Sequence, residues 1–163
     1  MDHYAAAENG WEKIVHPGTF NANPLSAAAG ATALRIVEET DACQRANDYA
    51  ARLRERMNQV VQDAQLDWCV YGTYSGFHIY TNPDHDTVTP EDLQEGQYDY
   101  RKTLAAFQSP LAEKIRFGLL AFGVDTFGWP GGVVSSTHGE EELNRTVEAF
   151  GQMIEIFKAD GDV

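Results

Sequence analysis

Apolar positions recur along this chain with two different periods, and the periods divide it into elements. Ala46, Tyr49, Ala50, Leu53, Met57 and Val60 fall on one face at helical spacing, while Arg45, Arg52, Arg54, Arg56 and Asp63 lie elsewhere. This pattern predicts a helix capped by Asp41, its stripe facing a core. Near the other end, Leu143, Val147, Phe150, Ile154 and Phe157 alternate by four and three, which predicts a second amphipathic helix. Thr137 with Glu140 three residues later would make its capping box, or His138 takes the cap if the start shifts by one. Glu140, Glu141 and Glu142 suit the positive end of that helix's dipole. Between the two helices the pattern changes to β-branched and aromatic runs at residues 68–71 and 76–81, read as strands joined by a hairpin turn or a bulge.

The remaining segments are set by caps and breakers. Asn23 is a good N-cap, Pro24 falls at the first helical position, and an alanine-rich run favours helix to about Glu39. Its small residues Ala27, Ala28, Gly30, Ala31 and Ala33 leave little bulk on most faces. Residues 1–20 read as irregular. Residues 82–96 are polar and acidic, contain Pro83 and Pro90, and read as a surface loop that is open to being mobile. A helix is expected within 98–107, and another from Pro110 through Ile115 and Leu119 to Gly123. A short strand is expected at 124–127, and a turn at Trp129-Pro130-Gly131-Gly132. The order gives an α/β or α+β layer with a small, largely antiparallel sheet covered by helices.

Composition narrows the function classes. At 163 residues and 43% hydrophobic content the chain can bury one ordinary core. A net charge of -13 argues against nucleic acid and anionic membrane surfaces. No apolar run approaches the roughly 18 residues of a spanning helix, and the first residues show no signal-peptide core. These features fit a cytoplasmic protein. Cys43 and Cys69 have no metal or redox spacing; one disulfide is open in principle, but reduced core thiols are expected.

Candidate chemistry concentrates in residues 16–26. A tight turn at Pro17-Gly18 presents Thr19, and a helix begins at Asn23-Pro24. A hydroxyl and free amides beside a helix start can hold a phosphate or carboxylate, although a turn plus a cap without a ligand is the commoner use of such a segment. Elsewhere, His78, Asp84, His85 and Asp86 would need to converge to hold a metal. A strand and a Pro-bounded loop do not favour that, so no metal site is expected. Ser75 does not sit in a nucleophile elbow. His138 reads as a cap residue rather than a catalytic one.

The segment running from His16-Pro17-Gly18-Thr19-Phe20 through Asn23-Pro24-Leu25 to Ala33-Leu34 resembles one in class III pyridoxal-phosphate-dependent aminotransferases and their relative glutamate-1-semialdehyde aminomutase. Residues 75–80 resemble a small-domain strand of that family, and residues 132–146 resemble its closing segment. The resemblance covers the later part of a family member. It implies the small carboxy-terminal domain of a fold-type-I enzyme, with residues 1–23 a leader carrying the motif and 24–163 the small domain. It also implies pyridoxal phosphate as cofactor and amino transfer as the parent reaction. Thr19, helped by the Phe20 backbone, would bind cofactor phosphate across a dimer interface.

Two departures accompany the resemblance. The family's Schiff-base lysine lies upstream of the motif, and none of Lys13, Lys102, Lys114 and Lys158 is placed for that role, so no catalytic residue is expected in this chain. Trp129-Pro130-Gly131-Gly132 stands where aminomutases carry a glutamate, and Arg145 lies inside the final helix rather than where family transaminases hold a substrate carboxylate. Transaminase and aminomutase therefore both stay open. The isolated chain is expected to be inactive and homo-oligomeric, with a separate cofactor-domain polypeptide as a further potential partner. The alternatives are a complete, non-catalytic binding or assembly module and a truncated gene product.

Overall fold

The protein is described by a computed structural model covering Gly18, residues 23–126 and residues 129–163. It divides into two compact units, Met1–Thr40 and Asp41–Val163. The described part of the first unit is helix α1, Pro24–Glu39. Asn23 caps it as the sequence predicts: its Oδ1 accepts from the Leu25 amide at 2.9 Å and the Ser26 amide at 3.3 Å. Pro24 needs no donor at the first position. No side chain of α1 is buried.

The second unit holds everything else. Its helices are α2 (Ala42–Asp63), α3 (Pro90–Gln94), α4 (Tyr100–Phe107), α5 (Pro110–Ala121) and α6 (Glu140–Asp160). Its strands are β1 (Cys69–Tyr71), β2 (Gly76–Tyr80) and β3 (Gly131–Val133), all antiparallel in the order β1-β2-β3. The α2 stripe is buried at Ala46, Tyr49, Ala50, Leu53 and Met57, and its last member is Val61 rather than Val60. On α6, Leu143, Phe150, Ile154 and Phe157 are buried as expected, and Ala149 and Met153 join them. These two faces meet with Val70, Phe77, Ile79, Ile115 and Leu119 in one core. Gly118 lets α5 close on α6, since a Cβ there would stand 2.5 Å from Met153 Cγ. Among the described residues no helix is long and apolar enough to cross a membrane.

Three sequence expectations are corrected. Residues 124–126 form no strand (127 lies outside the described residues), and the third strand is Gly131–Val133, beginning within the segment read as a turn. Paired glycines permit this, because a Cβ on Gly131 would collide with the Phe77 carbonyl oxygen, an approach that only glycine allows. The last helix is capped at Gly139, whose amide donates to the Glu142 carboxylate at 2.7 Å, rather than at Thr137 or His138. Ser135 and Thr137 instead bond each other within the preceding turn, at 3.1 Å.

The third correction is narrower: within the surface loop expected at residues 82–96, residues 90–94 form α3 under a Thr89–Asp92 capping box, and the loop is tied to α4 by a polar latch. Lys102 Nζ bonds the Asp86 carboxylate and lies 3.2 Å from Asp84, while the Tyr98 hydroxyl donates to Asp86 and sits 3.0 Å from the Tyr80 hydroxyl. The Asn82 amide bridges the carbonyls of Asp67 and Asp86. The Lys102 and Tyr98 hydrogen bonds hold the Asp86 carboxyl below its usual range. Asp86, followed by Asp84, holds the Lys102 ammonium above its own.

The edge of β1 is closed by a side chain. Asn58 of α2 donates to the Val70 carbonyl at 2.7 Å and accepts from its amide at 2.8 Å, pairing as a neighbouring strand would. Replacing Asn58 with Ala leaves both buried backbone groups without partners. The expected loss, read from urea unfolding midpoints, is about 1–3 kcal/mol; an unchanged midpoint would show that the pairing contributes nothing.

The latch has a defined pH window. Asp86, with a depressed folded pKa, contributes stability above the unfolded carboxyl value near ~3.9, lost as pH falls through the folded value. Lys102, with a raised folded pKa, contributes below about 10.4, lost as pH rises through its folded value. Protection of the amides of residues 84–98, taken relative to the intrinsic exchange rate at each pH, should therefore be greatest between these limits. Lys102→Met should speed that exchange at neutral pH while leaving α2 and α6 protected, and equal exchange in both proteins would refute the latch.

Candidate functional site

Thr19 and Phe20, the cofactor-phosphate candidates, lie outside the described residues, as does Lys13. At the neighbouring helix start, the first free amides of α1, those of Leu25 and Ser26, are already taken by Asn23 Oδ1. The described geometry there is that of a filled cap.

The remaining sequence candidates separate. His78 lies on β2 with its ring against Tyr71, centroids 5.3 Å apart, and burial lowers its pKa. His85 Nδ1 is 2.6 Å from Asp67 Oδ2, and Asp84 and Asp86 face Lys102. Among the described residues no three His, Cys, Asp or Glu side chains are grouped to hold a metal ion. Cys43 and Cys69 are both free thiols, but only Cys69 is buried; Cys43, expected in the core, is exposed at the start of α2. Burial pushes the Cys69 thiol up to about 11, which leaves it unreactive at neutral pH.

The described lysines are all engaged. Lys102 is in the latch, Lys114 Nζ lies 2.6 Å from Asp162 Oδ1, and Lys158 Nζ donates to the Ala64 carbonyl at 2.8 Å. An imine-forming lysine needs a neutral amine, hence a lowered pKa, and carboxylate neighbours act in the opposite direction.

What the sequence did not reveal is a cavity of about 460 Å³ in the second unit. Tyr49 and Leu53 of α2, Phe77 of β2, residues 123–126, residues 132–134 and the first turns of α6 line it. The loop wall is fixed by the end of α5. The Gly123 amide closes on the Leu120 carbonyl and the Val124 amide on that of Leu119, with Gly123 at φ +82°. This is a Schellman ending, which favours glycine. The Arg145 guanidinium reaches across it, with Nη2 2.5 Å from where a Gly123 Cβ would stand. Burial first, then the Glu142 carboxylate, pushes the Tyr49 hydroxyl up. The amide of Gly139 holds Glu142 below the usual range. In the linear pattern Tyr49 is a stripe residue, His138 a cap and Arg145 a surface arginine; no local signal announces that they share a wall.

Comparisons with known proteins agree on a likeness. No family model matches the chain. It is 30% identical over 138 residues to the glutamate-1-semialdehyde 2,1-aminomutase of Methanothrix thermoacetophila, covering 84% of this chain and 29% of that protein. To the protein of the same name from Methanosarcina acetivorans it is 27% identical, over 84% of this chain and 30% of that one. Among solved structures, a transaminase with PLP bound superposes with a TM-score of 0.68 at 27% identity, covering 93% of this chain and 32% of that one. An omega-transaminase from Sphaerobacter thermophilus gives a TM-score of 0.67 at 24% identity, over 90% of this chain and 31% of that one, a likeness of fold alone. The chain thus spans less than a third of the length of each of these four proteins. By sequence and by fold, it resembles the carboxy-terminal portion of the class III pyridoxal-phosphate-dependent aminotransferase family.

Proposed function

We propose that this chain is the carboxy-terminal small domain of a class III aminotransferase or glutamate-1-semialdehyde aminomutase, with amino-group transfer as the parent reaction, and that by itself it does not catalyse that reaction. The observation that carries the reading is the agreement of sequence and fold over most of the chain, 84% by sequence and 93% by structure. In such an enzyme pyridoxal phosphate acts as the electron sink for amino transfer. The described residues do not fit its attachment: Lys102, Lys114 and Lys158 each have a partner, and the two nearest carboxylates hold Lys102 in its charged form.

The proposal extends to the segments that flank this core. Residues 1–23 form the leader and 24–163 the small domain, and Thr19, with the Phe20 backbone, contacts cofactor phosphate in a homo-oligomer in the cytoplasm. Leu25, Leu34, Ile36 and Val37 of α1 are all at least half exposed, which supports assembly with a second copy or with a cofactor-domain polypeptide. The same exposure favours the second reading, a non-catalytic assembly module.

Titration with pyridoxal phosphate, followed by borohydride reduction and intact-mass measurement, tests the catalytic part. The expected result is scattered low labelling and no transamination of a keto acid by an amino donor. A stoichiometric adduct on one lysine, with turnover, would make the chain an enzyme in its own right.

A further inference from the structure

The outer edge of β3 is open. Its register with β2 pairs Phe77 with Gly132, and the flanking bonds run from the Ile79 amide to the Pro130 carbonyl and from the Val134 amide to the Ser75 carbonyl. In an antiparallel ladder, alternate residues turn their amide and carbonyl to the partner strand. Gly132 and Val134 therefore face β2, and the backbone groups of Gly131 and Val133 point away from the sheet. Among the described residues no strand lies beyond β3, and no backbone group pairs with those of Val133, which is 60% exposed. The next outward amide, that of Ser135, is taken by His138 Nδ1 at 3.4 Å, which ends the free stretch. The opposite edge of the sheet differs, because Asn58 already closes β1 at Val70.

We infer that this edge binds an extended peptide that carries apolar residues on either side of its paired position and basic residues at its ends. A residue hydrogen-bonded to Val133 in both directions shares the face on which the Val133 side chain lies. Its two neighbours turn their side chains to the opposite face, that of Gly132 and Val134. Gly132, Val133 and Val134 all line the cavity of about 460 Å³, and so do Tyr49, Leu53 and Phe77 of the core. Main-chain bonds thus hold the peptide, and the cavity takes its apolar side chains. Charge selects the occupant. Asp125 and Glu142 line the cavity against one guanidinium, that of Arg145, in a chain of net charge -13. This balance favours basic ends and opposes a second copy of the chain. The inference goes beyond the aminotransferase reading, since it needs neither cofactor nor lysine.

The probe is the peptide acetyl-Lys-Leu-Thr-Leu-Lys-amide, titrated into the full chain while amide chemical shifts are followed. The expected result is a saturable shift centred on the Val133 amide and extending to residues 123–126. Methylating the nitrogen of the peptide's threonine removes its donor and should weaken binding by about tenfold or more. Serine in place of both leucines should do the same through the cavity. Glutamate in place of both lysines should weaken binding at low salt. On the protein side, Val133→Pro deletes an outward amide that β2 does not use, and should cost about tenfold or more, whereas Val133→Ala should bind as the parent does. If Val133→Pro disturbs the fold by circular dichroism, the methylated peptide against the parent chain decides. No saturable shift, or equal binding of the methylated peptide, would overturn the inference. A Val133 amide shift that moves with protein concentration alone would give the edge to a second copy and overturn it as well.

Discussion

The second unit depends on one helix face, that of α2. Leu53 and Met57 are completely enclosed there, against Val70 and Phe77 on the sheet side and Leu143 and Phe150 on the α6 side. Each such side chain contributes about 1.5–3 kcal/mol by leaving water, and removing one would cost more than its transfer energy because the close-packed wall collapses only in part. A three-stranded sheet with strands of three to five residues is too small to be stable alone. It persists because α2 and α6 give it an apolar surface to lie on.

The same helix also sets the sheet's edges through polar contacts. Arg54 and Asn58 are four residues apart and so project from neighbouring turns on the same side. Asn58 completes β1 at Val70, while Arg54 Nη1 donates to the carbonyls of Tyr74 and Gly76 at the hairpin turn, at 3.2 and 2.6 Å. Tyr74 there is left-handed at φ +49°, a conformation that costs a non-glycine residue energy and that the arginine helps to hold. In an acidic chain, a few cations placed in this way have structural work: Arg54 at the hairpin, Lys102 at the latch, Lys158 on the Ala64 carbonyl.

This distribution bears on function. Lys102, Lys114 and Lys158 each hold a partner within the scaffold, and the likeness to aminotransferases is one of sequence and of fold. Of the polar groups that line the cavity beside Arg145, the Glu142 carboxylate accepts from the Gly139 amide and His138 Nδ1 from the Ser135 amide.

How much of this was legible beforehand follows the range of the forces involved. The sequence by itself determined where α1 starts, because Asn23 caps the amides two and three positions away and Pro24 needs no donor at the first position. It also determined the buried faces of α2 and α6, because helical periodicity needs no knowledge of the partner. The Thr89–Asp92 box was equally local, yet the acidic, proline-bounded composition around it hid the short α3. Only the tertiary structure decided that β3 forms at Gly131–Val133, since the reason is the close approach of a strand some fifty positions earlier in the chain. It alone brought Tyr49, Phe77, Thr126 and Arg145 to one cavity, and it alone brought Asp84 and Asp86 of the acidic loop onto Tyr98 and Lys102. Convergence of distant residues carries no periodic signal, because packing, not local backbone preference, creates it.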